Sequence, residues 1–414
     1  MEELGNYVIY VIMFFVAIGA IAAIRDDRQG LGAEFVAGIH TIGQLFIPIA
    51  GVMAAVPYLT ILVEKSAGPL FGAVGADPAM AATSIMSIDM GGYQLTHALA
   101  ANNESWIMAS INGFLLGPHI VFTIPVALAL LPKSEHKYLA LGMMAGIISI
   151  PIGLVAVLGL IDLFEPLIRS TISTTAEADY LLDFEVAAVA ANLVPLLVIV
   201  GFLAVGLRLF PNAMIKGFMA FGRVADAGMK LVLAMSIIEY FTGAFGTLFG
   251  AWGFDPIIAD EKDQFRALEI CGYIAVMLSG AFPMVYCIQK YLSKPLTALG
   301  AKIGLSGIGS AGIIATTANP LALFRLIPHM PAKDKVMTIA YTCCGAWILG
   351  DSLAYIANFQ PTLIIPLMLG KIIGAAFGLM LAVWLSVPRA MEFERQGQQE
   401  QKAQEPEGKL AIAE

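Results

Sequence analysis

Two carboxylates stand where an apolar chain should have none. Asp89 and Asp351 lie near the middles of the apolar segments 80–100 and 336–357, and each is followed four residues later by a tyrosine, Tyr93 and Tyr355. A carboxylate at the centre of a membrane helix costs about 2.5–3.5 kcal/mol on insertion scales, so a partner must offset it. A bound cation would do so. At a spacing of four the tyrosine falls on the same helix face, where its ring adds a π surface and its hydroxyl a hydrogen-bonding group. Together these outline an ammonium site. Two structural roles compete with that reading: either aspartate caps a broken helix, or it pairs with an internal cation such as Lys371.

Other polar residues in apolar surroundings also have two readings each. Asn319, in Thr316-Thr317-Ala318-Asn319-Pro320, sits where a proline interrupts a helix. The freed carbonyls there could face a cation or an alcohol, or Asn319 could cap the kink. Asn192, shortly before Pro195, poses the same choice. Glu269 opens the apolar segment 267–289, where a carboxylate either complements the positive end of the helix dipole or meets a substrate. His97 and His119 are either proton carriers or ordinary hydrogen-bonded histidines. The chain has no GxSxG elbow, no GxxxxGK[ST] loop and no HExxH, so enzymatic chemistry is not expected. Cys271, Cys287, Cys343 and Cys344 lack zinc or redox spacing and read as packing residues, and neither a metal nor a cofactor is expected.

The elements that must position these groups are membrane helices. Of 414 residues, 58% are hydrophobic and 13% charged, against about 25% charged in a soluble domain. With 23 basic residues and a net charge of -8, the chain has no basic face for phosphates, which sets nucleic acid aside as a partner. Apolar windows long enough to cross about 30 Å of hydrocarbon fall near 4–24, 42–63, 106–131, 137–161, 186–208, 229–250, 267–289, 307–327 and 362–387. Only Glu2 and Glu3 precede the first window, and no cleavage pattern follows, so it reads as a retained helix. With 80–100 and 336–357 added, the fold class is an all-α polytopic membrane protein of about 10–11 transmembrane helices. Gly91, Gly92, Gly345 and Gly350 suit broken or re-entrant helices in those two segments, with ordinary kinked spans as the alternative.

Arg208, Lys216, Arg223, Lys290, Lys294 and Lys302 mark one set of loops, and Asp162, Glu165, Glu177, Asp179, Asp183, Glu185, Asp255, Asp260, Glu261 and Asp263 the other. Basic loops face the cytoplasm. If 80–100 crosses the membrane the amino terminus is cytoplasmic, and if it is re-entrant the terminus is outside. The stretch 388–414, rich in Gln, Glu and Lys, reads as a disordered tail after a transporter domain over 1–387.

Within that domain Ile42-Gly43, Ala50-Gly51 and Ala54 recur at one offset as Ile303-Gly304, Ala311-Gly312 and Ala315, and the two Asp-x-x-x-Tyr motifs nearly keep the register. The halves, about 40–130 and 301–387, therefore read as an internal repeat, inverted if 80–100 is a full crossing. Transporters of that design bind substrate near the midplane between repeats and rock one bundle against the other. Chance recurrence of small residues is the competing explanation for the Ala/Gly matches.

Several runs also resemble a known family: Asp89-Met90-Gly91-Gly92-Tyr93, then Gly117-Pro118-x-Ile120-Val121-Phe122-x-Ile124-Pro125-Val126-Ala127-Leu128, and Tyr138-Leu139-Ala140-Leu141-Gly142 leading to Ile150-Pro151-Ile152-Gly153. The likeness continues through Arg266-Ala267-Leu268-Glu269, Gly280-Ala281-Phe282-Pro283-Met284-Val285, Leu349-Gly350-Asp351 and Gly370-Lys371. Together they resemble the bacterial ethanolamine-utilisation permeases (EutH-type). The resemblance implies a multi-pass protein of the bacterial inner membrane that admits ethanolamine, notably as the ammonium. An alkyl ammonium stays protonated at neutral pH, as lysine does, and crosses lipid poorly. On this reading Asp89 and Asp351 attract the ammonium, Tyr93, Tyr355 and Trp347 flank it, and Asn319 or Thr317 bonds the hydroxyl, with Glu269 and Asn192 as further substrate-binding candidates. The expected partners are ethanolamine, the lipid bilayer and, as an open option, a second copy of the chain. The alternative function is a symporter or exchanger for another small amine or cation, with the aspartates carrying H+ or Na+. A membrane enzyme or sensor, or a purely structural subunit, has less support in the residues.

Overall fold

The computed structural model describes residues 2–85 and 92–404, so Asp89, with Met90 and Gly91, lies outside the described residues. The chain is helical nearly throughout: α1 (Glu2–Arg25), α2 (Gly30–Ala54), α3 (Val56–Lys65), α4 (Gly68–Gly72), α5 (Pro78–Ile85), α6 (Gly92–Leu99) and α7 (Asn103–Pro118). A π turn, His119–Thr123, joins α7 to α8 (Ile124–Leu130), and α9 (His136–Phe164) follows. A two-stranded antiparallel ribbon, β1 (Leu167–Ile168) and β2 (Tyr180–Leu181), leads to α10 (Val186–Leu209), α11 (Pro211–Thr242), α12 (Ala244–Phe249) and α13 (Ala267–Lys302). The last third comprises α14 (Gly307–Ala318), α15 (Pro320–Leu326), α16 (Ala332–Gly345), α17 (Asp351–Phe359), α18 (Ile364–Leu385) and α19 (Val387–Gln404).

Among the described residues six helices are long and apolar enough to cross a bilayer unaided, namely α1, α2, α9, α10, α13 and α18. Their exposed apolar side chains, such as Phe14, Phe202 and Trp384, form the belt that a lipid surface requires. Chain reversals collect on two faces. On one lie the acidic loops: Phe265 packs on Phe359 with ring centroids 6.0 Å apart, and the Asp255 amide donates to the Ala54 carbonyl (2.8 Å). There Arg266 lies 3.4 Å from Asp260, 3.4 Å from Asp263 and 3.7 Å from Asp255. The amide of Asp263 foremost, then that of Lys262 and the Arg266 guanidinium, holds the Asp260 carboxyl below the usual range. On the opposite face the starts of α9 and α16 are tied by the Lys335–Glu135 ion pair (2.6 Å), and the Ser386 hydroxyl donates to the Leu141 carbonyl (2.7 Å).

Two segments do not cross. The chain enters α5 from the acidic-loop face and returns through α6 to the same face, because one carboxylate ties both ends. Asp77 accepts the Ala79 amide on Oδ1 (2.8 Å) and the Ala101 amide on Oδ2 (3.0 Å). Segment 80–100 is therefore re-entrant, and α1 begins on the acidic-loop face, where Gly5 lies against the Pro361 carbonyl. From the basic-loop face, α14 and α15 make the second hairpin. Asp334, at the start of α16, accepts from both the amide (2.9 Å) and the hydroxyl of Ser306, which opens α14. Segment 336–357 instead crosses fully, with α16 and α17 separated by an unwound stretch at 346–350.

Over the described part of the carboxyl-terminal stretch, 388–404, a helix stands where disorder was expected. Residues 387–404 form α19, whose Ala390, Met391 and Phe393 pack against Tyr138, Ala332 and Val336, while Glu394 accepts the Ala332 amide (3.2 Å). Its few apolar residues share one face, and Arg389 pairs with Glu392 one turn on, which suffices for a helix docked on a preformed surface. The second helix also starts at Gly30, well before the apolar window at 42, and ends three residues before Pro57.

The ribbon after α9 seals the acidic-loop face over α17. Arg169 donates from Nη1 to the carbonyls of Asn358 (2.9 Å) and Phe359 (3.2 Å), satisfying the exposed end of α17, and from Nε to Ala176 (2.7 Å). Gln360, fully buried, accepts the Arg169 amide (2.9 Å) and donates to the Arg169 carbonyl (2.7 Å). Replacing Arg169 with Ala, or with Lys, which lacks the planar fork, is expected to lower stability in detergent by at least about 2 kcal/mol and to expose 165–185 to protease. An undisturbed digestion pattern would count against the cap. Asp77→Ala should cost about 1–3 kcal/mol through the two lost amide bonds, read as a lower thermal-unfolding midpoint.

Candidate functional site

The end of the second hairpin's first helix, α14, the unwound stretch between α16 and α17 and the π turn after α7 meet inside the bundle. Trp347 and Leu349, in the unwound stretch between α16 and α17, donate their amides to the carbonyls of Thr316 (3.2 Å) and Thr317 (2.9 Å) at the end of α14. Those carbonyls are the groups that a helix ending in lipid would leave bare. The approach is close: a Cβ on Gly350 would stand 2.4 Å from the Ala318 carbonyl oxygen, so only glycine fits. Trp347 has a φ of 54°, a left-handed conformation costing a non-glycine residue about 1–3 kcal/mol, and its ring is buried, 6.5 Å from that of His119.

On the other side of this junction an aromatic cluster joins the first hairpin to α17. The rings of Tyr93 and Tyr355 are 5.3 Å apart at their centroids, Trp106 lies 4.9 Å from Tyr93, Phe114 lies 5.5 Å from Tyr355 and Phe359 lies 4.7 Å from Tyr355. Edge and tilted packing of this kind suits the ring quadrupoles. Both tyrosine hydroxyls accept amide hydrogens, Tyr355 from Gln94 Nε2 (3.3 Å) and Tyr93 from Gln360 Nε2 (3.0 Å). The two Asp-x-x-x-Tyr motifs thus converge, but on unlike elements: one on the returning arm of a hairpin, the other on the second half of a crossing.

Asp351 opens α17, half-buried, one turn from Tyr355 on the same face. Lys371, on α18, is 2% exposed and donates to the Phe114 carbonyl (3.1 Å) and to the hydroxyl of Ser352 (3.1 Å), next to Asp351. A fixed cation therefore lies within the same region as the carboxylate. Four other candidates have hydrogen-bond partners within the protein. Asn319 caps α15, its Oδ1 accepting the Leu321 amide (2.9 Å), and the Thr317 hydroxyl donates to the Ile314 carbonyl (2.7 Å). Asn192 accepts the Asp77 amide (2.7 Å) at the acidic-loop face. Glu269, in the first turn of α13, accepts the Ala259 amide (3.0 Å) and so anchors the acidic loop.

Sequence reasoning passed over Gln94, Asn112, Arg169 and Gln360. Gln94 lies inside segment 80–100 next to Tyr93, Gln360 falls between the segments 336–357 and 362–387, and Arg169 belongs to a loop with no periodicity. Asn112 did carry a signal, an amide in the middle of the apolar window 106–131, where an unpaired polar group is costly. Fully buried, it donates from Nδ2 to the hydroxyls of Thr83 (3.0 Å) and Ser84 (3.0 Å) near the end of α5.

Comparison with known proteins puts this geometry in a family. A family model described as ethanolamine utilisation protein, EutH, matches residues 4–385. A protein of Listeria monocytogenes named probable ethanolamine permease EutH is 33% identical over 385 residues, spanning 93% of this chain and 95% of the relative. One of the same name from Escherichia coli is 31% identical over 410 residues, spanning 93% and 96%. An uncharacterized Bacillus subtilis protein, YxeR, is 28% identical over 386 residues, spanning 92% and 95%. No solved structure matches the chain. The names of the first two describe a permease and not an enzyme. A match over nearly the whole membrane domain, with identity above 30% to two relatives, means that this polytopic membrane protein belongs to the EutH family of ethanolamine utilisation proteins.

Proposed function

We propose that the chain carries ethanolamine, as its protonated ammonium, across the bacterial inner membrane through a midplane site where the two hairpins approach each other. The observation that carries this reading is the edge-to-face meeting of Tyr93 and Tyr355, centroids 5.3 Å apart, with Tyr355 one helical turn beyond the intramembrane Asp351. The permease names of the relatives supply the cargo.

Charge balance supports a single monovalent cation. Asp89 and Asp351 contribute two negative charges and the buried Lys371 one positive charge, which leaves one for a mobile partner. The tyrosine rings, the unwound carbonyls around 346–350 and Trp347 would complete the surroundings of the ammonium. Asn319 and Thr317, at the end of the second hairpin, are the candidates for the hydroxyl, whereas the local bonds of Glu269 and Asn192 favour structural duties for those two.

The architecture also suggests how access alternates. A hairpin, an interrupted crossing and a long helix follow one another twice, as α5 to α9 and again as α14 to α18, entering from opposite faces. Such an order supports an inverted repeat in another register than the Ala/Gly and Asp-x-x-x-Tyr matches, which pair α2 with α14, and its two halves would swap roles between outward and inward states. By the distribution of basic residues, the face bearing the 165–185 ribbon would be external.

Labelled ethanolamine uptake into vesicles containing only this protein tests the reading. Asp89→Asn and Asp351→Asn should each abolish uptake while the protein remains monodisperse. Unchanged uptake in both would sink the site. Uptake should also stay level across neutral pH, because the ammonium fraction of the substrate hardly changes there. A substrate-dependent proton or sodium flux would favour the ion-coupled alternative.

A further inference from the structure

Arg208, in the last turn of α10, lines an open cavity of about 550 Å³ with Trp384 and Leu385 from the end of α18 and Pro388, Arg389 and Glu392 from α19. Small-molecule sites fall in the range of about 300–1,000 Å³. The cavity sits on the basic-loop face, where α10 and α18 end. Both helices pack on α9, yet α10 barely touches either α18 or α19, so the cavity marks a gap between them.

Its charge favours an anion. Two guanidiniums and one carboxylate leave one net positive charge, and Arg208 takes part in none of the ion pairs among the described residues. Arg389 is held in place by its neighbours: it pairs with Glu392, and its guanidinium lies over the Phe393 ring, 5.0 Å from the centroid. Glu392 in turn accepts from Gln396 Nε2 (3.4 Å), which fixes the carboxylate from its other oxygen. A guanidinium carries five donors in a planar fork, so one carboxylate does not exhaust it.

Its surroundings are apolar on the membrane side. On α10 the exposed Val198 and Val205 stand in one helical stripe with Arg208, and on α18 the exposed Phe377 and Met380 stand in one with Trp384. Both stripes run from the cavity into the lipid-facing belt. Trp384, 75% exposed at the end of its stripe, has the amphipathic ring that settles at headgroup level. A free anion has no use for two such stripes, whereas a phospholipid would lay its acyl chains along them.

We propose that this cavity binds the phosphate of an anionic phospholipid from the leaflet at the basic-loop face, joining α10 to α19 through Arg208 and Arg389. Arginine matches a phosphate with two parallel hydrogen bonds, and basic pockets between membrane helices take acidic headgroups in this way. A single arginine near a helix end reaches the headgroups by snorkelling alone. Snorkelling does not bring two arginines from separate helices into one cavity beside a tryptophan. The bridge would fasten α19, whose Ala390, Met391 and Phe393 cover the starts of α9 and α16.

The lipid site does not depend on the cargo, and its test needs no transport assay. The full-length protein in detergent is titrated with phosphatidylglycerol, phosphatidylcholine or inorganic phosphate, reading the thermal-unfolding midpoint and, by native mass spectrometry, the lipid retained and the oligomeric state. Phosphatidylglycerol should raise the midpoint and stay bound, while the other two should do neither. Arg208→Ala and Arg389→Ala should each weaken phosphatidylglycerol by about tenfold or more, because a hydrogen bond between charged groups is lost. Arg208→Lys, which keeps the charge without the fork, should fall between. Lys294→Ala and Lys302→Ala, which remove exposed bases elsewhere on the same face, should bind as the wild type does. Equal stabilisation by phosphatidylcholine or by inorganic phosphate would overturn the site. So would equal losses in the two lysine variants, which would mean general attraction to acidic lipid, or a dimer that Arg208→Ala dissociates, which would give the cavity to a second copy of the chain. Should an arginine variant fail to fold, the comparison of the three ligands on the wild-type protein still decides.

Discussion

Backbone amides and carbonyls cannot be left bare in hydrocarbon, and the interior of this protein is arranged around that constraint. Two hairpins and two interrupted crossings bring helix ends to the middle of the bundle, where water cannot serve them. Each exposed end is answered by another. The carbonyls of Thr316 and Thr317 take the amides of Trp347 and Leu349, and Asn112 reaches the end of α5 through Thr83 and Ser84. Because these pairings need very close approach, they account for Gly350 and for the left-handed backbone at Trp347.

The same economy governs the acidic-loop face. Arg169 satisfies the end of α17, and Gln360 ties the ribbon to Tyr93, so the surface loop and the buried aromatic cluster belong to one hydrogen-bond system. A displacement of the ribbon would be felt at the tyrosines, which gives the proposed alternating access a physical linkage between surface and centre. On the opposite face, Asp334 and Lys335 anchor the second hairpin and α9 to α16, much as Asp77 anchors the first hairpin. Charges near both surfaces thus serve as fasteners.

Much of the fold was legible because hydropathy is local. The long apolar windows became α1, α9, α10, α13 and α18, and the glycine-rich segments around 89 and 351 were marked as irregular. Around Val387 the same reasoning failed, since a sparse apolar face is enough once α16 and α9 supply a surface for Ala390, Met391 and Phe393 to cover. For the site, charge at depth singled out Asp351 and Tyr355, but the duties of Asn192 and Glu269 depended on loop amides that no spacing rule could have paired with them.

By itself the sequence determined the class of molecule, an all-helical membrane protein with acidic and basic loops on opposite faces, because the cost of placing each residue in lipid is a property of that residue and its near neighbours. Only the tertiary structure decided that 80–100 turns back while 336–357 passes through. Those outcomes rest on single bonds between distant residues: Asp77 with Ala101, and Gln360 with Tyr93 across 267 positions. Long-range pairing of this kind leaves no periodic trace in a chain, so the convergence of the two tyrosines emerges only when the helices are packed.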